Sequence, residues 1–312
     1  CMAIAYGCTD SLALNFDPLA NTDDGFCCGS EILLPPFGTQ IGLDIDGEVA
    51  GDESGRSVSI SSDGQIMAIG ARYNDGNGTD AGHVRVFENI NGNWVQLGHD
   101  INGLSGDHSG IYTSISSDGS IVAVGSNFHD ANKGTVRIYE YNSNSWVQLG
   151  SDIDGEAVED YSGDVTLSSD GHTLAIGAVS NDGNGPNSGH VRVYNYNGSS
   201  WVQLGQDIDG NNTNDWLGRE VSLSSDGNIV AVSATGPGAG NYTGYVRIHE
   251  YNGTSWLQLG TDIDGESAGD ESGNSISLSS DGNTVAIGAP ENDGNGNNSG
   301  HVRIYNYNGS SW

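Results

Sequence analysis

Five similar units follow one another between Gln40 and Trp312, and this repetition limits the fold more than any single residue does. A tryptophan marks each unit, at intervals of 52, 55, 55 and 56 residues, and an arginine and a Ser-Ser-Asp-Gly segment recur with it. The recurring positions are Trp94, Trp146, Trp201, Trp256 and Trp312, then Arg85, Arg137, Arg192, Arg247 and Arg303, then Asp63, Asp118, Asp170, Asp226 and Asp281. A period of this length, built from short strand-like segments, indicates propeller blades or an open array of units.

Each unit predicts four short strands joined by turns. In the last unit, strand-like runs begin at Trp256, Ser275, Thr284 and Gly300, with Asp-Gly or Asn-Gly near several of their ends. These dipeptides accept the positive φ of tight hairpin turns, so they favour antiparallel neighbours. No segment of ten or more residues has helical periodicity. The sequence therefore predicts an all-β fold, a β-propeller of four-stranded antiparallel blades.

The two ends of the repeated region indicate how the blades close. Residues 39–46 match the strand that follows each tryptophan, but no three strands precede them. The last unit has those three strands and stops at Trp312, so the first strand is expected to complete the last blade of a five-bladed ring. Closure removes exposed sheet edges, which otherwise promote aggregation. Because Trp312 reads like the start of another unit, a ring of six or seven blades stays an alternative, as does an open array.

All four cysteines, Cys1, Cys8, Cys27 and Cys28, lie in the first 28 residues. So short a segment cannot bury a sufficient core, which predicts disulfides and an oxidising, extracellular compartment. Zinc is disfavoured there because the spacing has no pair of C-x2-C motifs and no nearby histidine. Adjacent Cys27 and Cys28 make poor partners, which leaves Cys8–Cys27 with Cys1–Cys28, or the crossed pairing. We predict the Cys8–Cys27 bond.

The predicted organisation is a disulfide-stapled module at 1–30, a linker at 31–38 and a propeller at 39–312. The first residue is Cys rather than Met, which indicates a piece of a longer polypeptide. A formal charge of -32 excludes a nucleic-acid groove and disfavours an anionic membrane surface as partner. No apolar run approaches the ~20 residues that cross a bilayer, so no membrane insertion is expected.

Acidic loops at 44–53, 152–160 and 262–271 are expected to share one face with three Asn-Asp-Gly-Asn loops. In a propeller, the connection into a blade lies beside the loop between its second and third strands. Hard cations such as Ca²⁺ take six to eight oxygen ligands. The predicted calcium ligands in these loops are Asp75, Asn77, Asp182, Asn184, Asp293 and Asn295. The alternative is a set of Asx turns, in which such side chains cap local backbone amides.

The segment from Gly7-Cys8-Thr9-Asp10 to Asp23-Asp24-Gly25-Phe26-Cys27 resembles the short GCTD…DDGSC repeats of large secreted surface proteins from marine Bacteroidetes. The match includes Asn15-Phe16-Asp17-Pro18. Such units come in tandem, which implies that Cys1 ends a preceding unit. The segment 17–25 is also loosely similar to thrombospondin-type calcium loops, although no complete D-x-D-x-D-G is present. This likeness adds the candidate ligands Asp17, Asn21, Asp23 and Asp24.

The repeated units resemble the FG-GAP repeats of integrin α-subunit propellers and their bacterial relatives. In the last unit the resemblance rests on Gly269-Asp270-x-Ser272-Gly273, then Val285-Ala286-Ile287-Gly288-Ala289-Pro290, then Gly300-x-Val302. The integrin calcium loop is shortened here to Ser-Ser-Asp-Gly, so that calcium site is not expected at this turn. The resemblance implies a secreted adhesion or scaffold module that presents a propeller face to a protein or carbohydrate ligand.

The remaining candidate side chains are interpreted structurally. Each repeated arginine is expected to pair with an acid, and each repeated tryptophan to pack between blades. His83, His190 and His301 occupy one position, but Thr135 and Tyr245 replace them in the other units, which excludes a symmetric histidine metal ring. No catalytic motif stands out, so no catalytic residue and no enzymatic activity is predicted. An extracellular hydrolase or lyase acting on polysaccharide is the alternative function.

Overall fold

The computed structural model describes residues 6–7, 22–23, 40–239 and 241–312. The chain divides into two units, 1–43 and 44–312. In the first, β1 (Tyr6–Gly7) pairs in parallel with β2 (Thr22–Asp23). Asp23 thus lies in β2. The disulfide prediction for Cys1, Cys8, Cys27 and Cys28 and the candidate ligands Asp17, Asn21 and Asp24 lie outside the described residues.

Five antiparallel sheets make up the second unit, in agreement with the predicted all-β class. The first four sheets each have an inner, a middle and a third strand, and the third strand also pairs with an outer strand and a two-residue strand. These sheets contain β3 (Ser57–Ile60), β4 (Ile66–Ala71), β5 (His83–Ile90), β6 (Asn93–Gln96) and β7 (Ile101–Asn102); β8 (Tyr112–Ile115), β9 (Ile121–Ser126), β10 (Thr135–Asn142), β11 (Ser145–Gln148) and β12 (Ile153–Asp154); β13 (Ser162–Leu167), β14 (Thr173–Ala178), β15 (His190–Tyr196), β16 (Trp201–Gln203) and β17 (Ile208–Asp209); β18 (Leu217–Leu223), β19 (Ile229–Ala234), β20 (Tyr245–Tyr251), β21 (Trp256–Gln258) and β22 (Ile263–Asp264).

The fifth sheet has only three strands, β23 (Ser275–Leu278), β24 (Thr284–Ala289) and β25 (His301–Asn306). One short helical turn, α1 (His129–Asn132), lies between β9 and β10 and has left-handed backbone at Asp130 and Ala131. None of the helices in the described ranges is long and apolar enough to cross a membrane.

The Ser-Ser-Asp-Gly segments form the hairpins between inner and middle strands. In the third sheet, Ser168 donates to Asp170 Oδ1 at 2.6 Å, and Asp170 accepts the amide of His172 at 3.0 Å. Gly171 supplies the positive φ, 71°, that this tight turn requires. The same serine and aspartate bond recurs in the other four sheets. Local hydrogen bonds thus fix each hairpin at one end of its blade.

Neighbouring sheets pack face to face around a common axis, as propeller blades do. The third strand of one blade covers the inner strand of the next, as where fully buried Val136 and Ile138 join Val165 and Leu167 in one core cluster. Backbone bonds of 2.8–2.9 Å link successive inner hairpins at Ser62, Ser117, Ser169, Ser225 and Ser280. Burial of these apolar faces, at roughly 25 cal/mol per Å², holds each blade to its neighbour.

The tryptophans join adjacent blades, in agreement with the sequence analysis. The indole of Trp146 donates to Leu97 O in the preceding blade at 2.8 Å, and Trp201 bonds Leu149 O at the same distance. Trp256 and Trp312 repeat this contact one and two blades further on. Each of these four tryptophans therefore combines apolar packing with a satisfied N–H across the blade boundary.

The structure differs from the prediction that residues 39–46 complete the last blade. Described residues 40–46 form no strand, and β25 pairs only with β24. In a closed ring, neighbouring blades would cover the apolar side chains of β3 and β25. Here these side chains are exposed, at Val58 and Ile60 in β3 (56% and 53%) and at Val302 and Ile304 in β25 (66% and 71%). The five described sheets thus leave the ring open, and sequence matching alone could not decide whether residues 39–46 would pair with β25.

Candidate functional site

Two kinds of loop meet at one end of the blades, which we call the loop face. The acidic loop that precedes an inner strand lies beside the loop between the middle and third strands, as the sequence predicts. A buried asparagine joins them: Asn74 Nδ2 donates to Asp52 Oδ2 at 2.9 Å, and Asn292 Nδ2 donates to Asp270 Oδ2 at 2.8 Å. Asn181 and Asp160 form the equivalent bond at 3.1 Å. The opposite end of the blades, which carries the Ser-Ser-Asp-Gly turns, is the hairpin face.

The predicted calcium ligands in these loops make structural hydrogen bonds. Asp75, Asp182 and Asp293 each accept a backbone amide of their own loop through Oδ1 at 2.8 Å. Asn77 and Asn184 donate from Nδ2 to Gly103 O and Gly210 O in the following loop, at 2.6 and 3.2 Å. The backbone amide of Asn295 bonds Ser299 Oγ at 3.2 Å. The structure brings these residues to one face, where each carboxylate accepts an amide five residues further along its own loop. The Asx turns of these loops are formed by the preceding asparagines, Asn74, Asn181 and Asn292.

Open clefts lie between the paired loops of the first and last blades. The first has a volume of about 620 Å³ and is lined by Glu48, Asp52, Asp75 and Asp80 beside Tyr73. The last, of about 470 Å³, is lined by four acids, Glu266, Asp270, Glu291 and Asp293, of which Glu291 stands at the position of Tyr73. Several carboxylates in a wet cleft favour a hard cation over an anionic ligand.

The repeated arginines pair with acids in two different ways. In the second and fourth blades, Arg137 Nε lies 2.8 Å from Asp152 Oδ2, and Arg247 holds both oxygens of Asp262 at 2.9 Å. In the first, third and fifth blades the arginine instead donates to a backbone carbonyl, at Asp46, Asp154 and Asp264 respectively. In these three blades the arginine also lies 3.7–3.8 Å from a glutamate, Glu48, Glu156 or Glu266. The predicted pairing with acids is therefore confirmed in all five blades and is closest in the second and fourth.

One position on the loop face has the same unusual backbone and a changing side chain. It directly follows an aspartate that every unit shares, and φ lies between 52° and 58° in all five units. The residues are Glu53, His108, Tyr161, Trp216 and Glu271. Left-handed backbone at a non-glycine residue costs roughly 1 kcal/mol or more, and such strain concentrates at functional sites.

Four rings from this position and the adjacent loops form a continuous row, which we call the aromatic arc. It runs from Tyr73 to His108, Phe128 and Tyr161, with centroid distances of 5.1, 4.4 and 5.8 Å. All four side chains are half-buried, and Arg72 lies 4.5 Å above Tyr73 at one end. Burial lowers the pKa of His108, which keeps this ring neutral at physiological pH. Half-exposed rings of this kind offer flat apolar surface to a ligand.

A third cleft, of about 400 Å³, lies further round the loop face. Trp216, Arg219, Glu271 and Asn274 line it together with Ser180 and Thr235. One aromatic ring surrounded by donors and acceptors suits a ligand with both hydroxyl groups and apolar surface. We call it the Trp216 cleft.

Near Arg219, the inner strands of the second, third and fourth blades carry the ionisable residues Tyr112, Asp164 and Glu220. The inner strands of the first and fifth blades have no ionisable residue. Burial, with the nearby charge of Glu220, raises the pKa of Asp164 well above its ordinary value, and burial likewise raises the pKa of Glu220. Burial together with the charge of Asp164 raises the pKa of Tyr112 to about 12. Asp164 is 8% exposed, and its Oδ2 has no hydrogen-bond partner. Shifts of this kind cluster at functional sites.

Sequence reasoning missed the aromatic arc, the Trp216 cleft and the buried carboxyl pair. It concentrated on positions that repeat, whereas these residues occupy positions at which the five units differ. Aligning the units on Asp52, Asp107, Asp160, Asp215 and Asp270 would have exposed the variable position that follows each of them. The signal was thus present in the sequence, as departures from the repeat.

Comparison with known proteins supports the repeat and the fold. The FG-GAP repeat family matches the chain at residues 44–87 and 261–305. The comparison with curated protein sequences finds no match. Among solved structures, Kuenenia stuttgartiensis hydrazine synthase is similar over 86% of this chain and 64% of its own, with 15% identity and a TM-score of 0.52. The periplasmic gluconolactonase of Pseudomonas aeruginosa is similar over 74% of this chain and 64% of its own, with 19% identity and a TM-score of 0.52.

These likenesses show the fold alone, and the chain spans less than two thirds of either structure's length. They also correct one prediction. We expected no enzymatic activity because no catalytic motif is visible, but solved structures that share the fold include a gluconolactonase. The expectation is overturned, since the propeller scaffold itself decides neither for nor against an enzyme.

Proposed function

We propose that this chain is a module of an extracellular, cell-surface protein and that its loop face binds a protein or carbohydrate ligand, as an adhesin or scaffold does. The observation that carries the proposal is the variable position with left-handed backbone in all five units. A repeat that keeps a strained backbone and changes only the side chain behaves like a fixed frame for recognition residues.

The chemistry of the loop face supports a ligand with hydroxyl groups and apolar surface. The aromatic arc supplies stacking surface, and the Trp216 cleft supplies donors and acceptors beside one ring. The charge of -32 opposes an anionic polymer as ligand unless cations intervene. A neutral polysaccharide or an extracellular protein therefore fits this face best.

Calcium is part of the proposal. In the clefts of the first and last blades, the hydrogen bonds of Asp52 and Asp270 fall on one carboxylate oxygen, Oδ2. Calcium bound by the other oxygens would offset repulsion among the acids and hold the two loops together. A ligand that prefers the folded state raises its stability, by about 2.7 kcal/mol at a hundredfold excess over Kd. A melting midpoint that is identical in calcium and in chelator would contradict this part of the proposal.

The binding test is affinity electrophoresis against laminarin, xylan and alginate, with surface binding to fibronectin and collagen. We expect retention by at least one of these, and loss of that retention in Phe128→Ala and Trp216→Ala. His172→Ala is the control, because His172 lies in a hairpin turn at the opposite face with its side chain 47% exposed. Retention that survives both loop-face substitutions would refute the proposed surface.

The second candidate function, cleavage of an extracellular polysaccharide, is favoured by Asp164 and Glu220. A carboxyl group whose pKa is raised by burial, like that of Asp164, can act as a general acid beside a second carboxyl group. Release of reducing ends from a retained polysaccharide, abolished in Asp164→Asn, would establish this candidate. Retention with no product in the parent chain would leave binding as the function.

A further inference from the structure

Two positions on neighbouring segments change together along the chain. Where the third strand begins with His83, His190 or His301, the acidic loop carries Glu48, Glu156 or Glu266. Where it begins with Thr135 or Tyr245, the same loop position carries Leu104 or Asn211. Histidine and glutamate thus occur together in alternate blades and are replaced together in the others.

The repeated arginine follows the same alternation. In blades without the histidine, Arg137 and Arg247 hold Asp152 and Asp262 in short ion pairs. In the first blade, Arg85 turns away to the carbonyl of Asp46 at 2.6 Å. Asp100, which corresponds to Asp152, then faces His83 instead of the arginine. Two positions therefore change residue together, and the partner of the invariant arginine changes with them, which indicates that these side chains act together.

In the first blade these side chains converge on one point. His83 Nδ1 lies 3.9 Å from Glu48 Oε2 and 3.8 Å from Asp100 Oδ2. His83 is 1% exposed, and this nitrogen has no hydrogen-bond partner. The two carboxylates lie at the surface, with side chains 42% and 29% exposed. A buried acceptor or donor without a partner, aimed between two acids, calls for a ligand.

The third blade repeats the arrangement. His190 Nδ1 lies 3.9 Å from Glu156 Oε2 and 3.6 Å from Asp207 Oδ2, and His190 is also 1% exposed. The ring nitrogen of His190 that has no hydrogen-bond partner is Nε2, whereas in His83 it is Nδ1. In each of the two blades, one ligand atom from each of the three residues lies within 4.8 Å of the others. These separations exceed a hydrogen bond. They come close to the ~3.4 Å between two ligands that share a tetrahedral Zn²⁺ at about 2.1 Å each.

The donor set also distinguishes the cation. Imidazole with two carboxylates suits zinc and similar transition metals, whereas calcium prefers oxygen ligands alone. Burial lowers the pKa of both histidines, which keeps each imidazole in the neutral, metal-binding form. The exposed carboxylates leave an entry path from solvent and room for water in a fourth position.

We propose that Glu48, His83 and Asp100 form one zinc site and that Glu156, His190 and Asp207 form a second. In the fifth blade Glu266 Oε2 lies 3.7 Å from His301 Nδ1, but the described residues supply no third ligand there. The two sites brace an acidic loop against the third strand of its own blade and the aspartate that follows its outer strand. They are separate from the aromatic arc and the Trp216 cleft, whereas Glu48 also lines the acidic cleft of the first blade.

The test is zinc titration of the whole chain by isothermal calorimetry, with ZnCl₂ as the probe. We expect the parent to bind two equivalents more than the His83→Gln, His190→Gln double variant, and each single variant to lose one equivalent. The double variant provides the background for any zinc held by Cys1, Cys8, Cys27 and Cys28. His301→Gln is the matched control and should leave the stoichiometry unchanged.

Equal stoichiometry in the parent and the double variant would overturn the proposal. So would displacement of all the zinc by excess calcium, since that would indicate an all-oxygen site. If either glutamine variant melts abnormally, Glu48→Gln and Glu156→Gln replace it, because these surface carboxylates can change without disturbing the core. Retention of both equivalents in that pair would count equally against the two sites.

Discussion

Replacing Asp164 by asparagine should make this protein more stable at neutral pH. Asp164 lies on the inner strand β13 at a bulge in its pairing with β14, and it accepts the amides of Val165 and Val221. Burial and the charge of Glu220 raise its pKa. Asparagine can still accept both amides through its carbonyl oxygen, and it places no ionisable group at the buried position of Oδ2.

The sign of the pH dependence follows from that shift. Because the pKa is raised in the folded state, the native protein binds a proton that the unfolded chain has released. Stability therefore falls as pH rises from the unfolded value, about 3.9, through the folded one. Asparagine does not titrate. The gain in stability of Asp164→Asn over the parent should therefore be largest at neutral pH and absent below about pH 4.

The size of the effect is set by one buried, unpartnered carboxylate oxygen, at about 1–3 kcal/mol. Residues 44–312 form the cooperative unit, and ~2.1 cal/mol/K per residue gives it an unfolding entropy of roughly 0.6 kcal/mol/K. The expected rise in Tm is therefore about 2–5 °C at neutral pH. Thermal melts followed by circular dichroism at neutral and acidic pH measure it.

Asp170→Ala is the matched control with the opposite sign. Partial burial acts to raise the pKa of Asp170, but hydrogen bonds from the Ser168 hydroxyl and the His172 amide outweigh this effect and lower the pKa. Its contribution is present above the unfolded pKa and is lost as pH falls. Since the side chain is 71% exposed, the loss should stay below about 1 kcal/mol at neutral pH. A lower Tm for Asp164→Asn at neutral pH would refute the reasoning about the buried carboxyl.

Three further predictions concern packing and the first unit. Leu174→Ala should cost about 2–5 kcal/mol because Leu174 is fully buried, whereas Val302→Ala, at 66% exposure, should change stability by less than ~0.5 kcal/mol; denaturant unfolding measures both. Trp201→Phe should cost about 1 kcal/mol through the lost bond to Leu149 O, and an unchanged midpoint would show that this bond contributes nothing. Peptide mapping without reductant should recover Cys8 joined to Cys27, and free thiols at both would contradict the predicted staple.

The architecture of each blade could be predicted from the sequence because local signals specify it. The Ser168-Ser169-Asp170-Gly171 turn contains its own hydrogen-bond partners, and alternating apolar residues define the strands on either side. The placement of the acidic loop beside the Asn-Asp-Gly-Asn loop at one end of a blade was also predicted, and the bond between Asn74 and Asp52 joins these two loops. Such features need only the repeat and the rules of hairpin geometry.

The site and the ends of the ring could not be predicted in the same way. Whether residues 40–46 pair with β25 depends on contacts across the whole propeller, and no local signal reports them. The contact between His108 and Phe128 joins side chains from two different loops, and the burial of Asp164 arises where blades meet. These residues also differ from their counterparts in the other units, so a pattern of recurring positions does not identify them.

The most direct test of the account is to locate the bound ligand by hydrogen–deuterium exchange. The chain is compared alone and with the strongest-retained member of the panel, laminarin, xylan, alginate, fibronectin or collagen. We predict new protection in the loop-face segments 104–110, 126–132, 158–162 and 211–219, and unchanged exchange in the hairpin turns at 61–65, 116–120 and 168–172. Protection confined to the hairpin turns, or exchange that no member of the panel alters, would contradict the claim that residues breaking the repeat form the binding face.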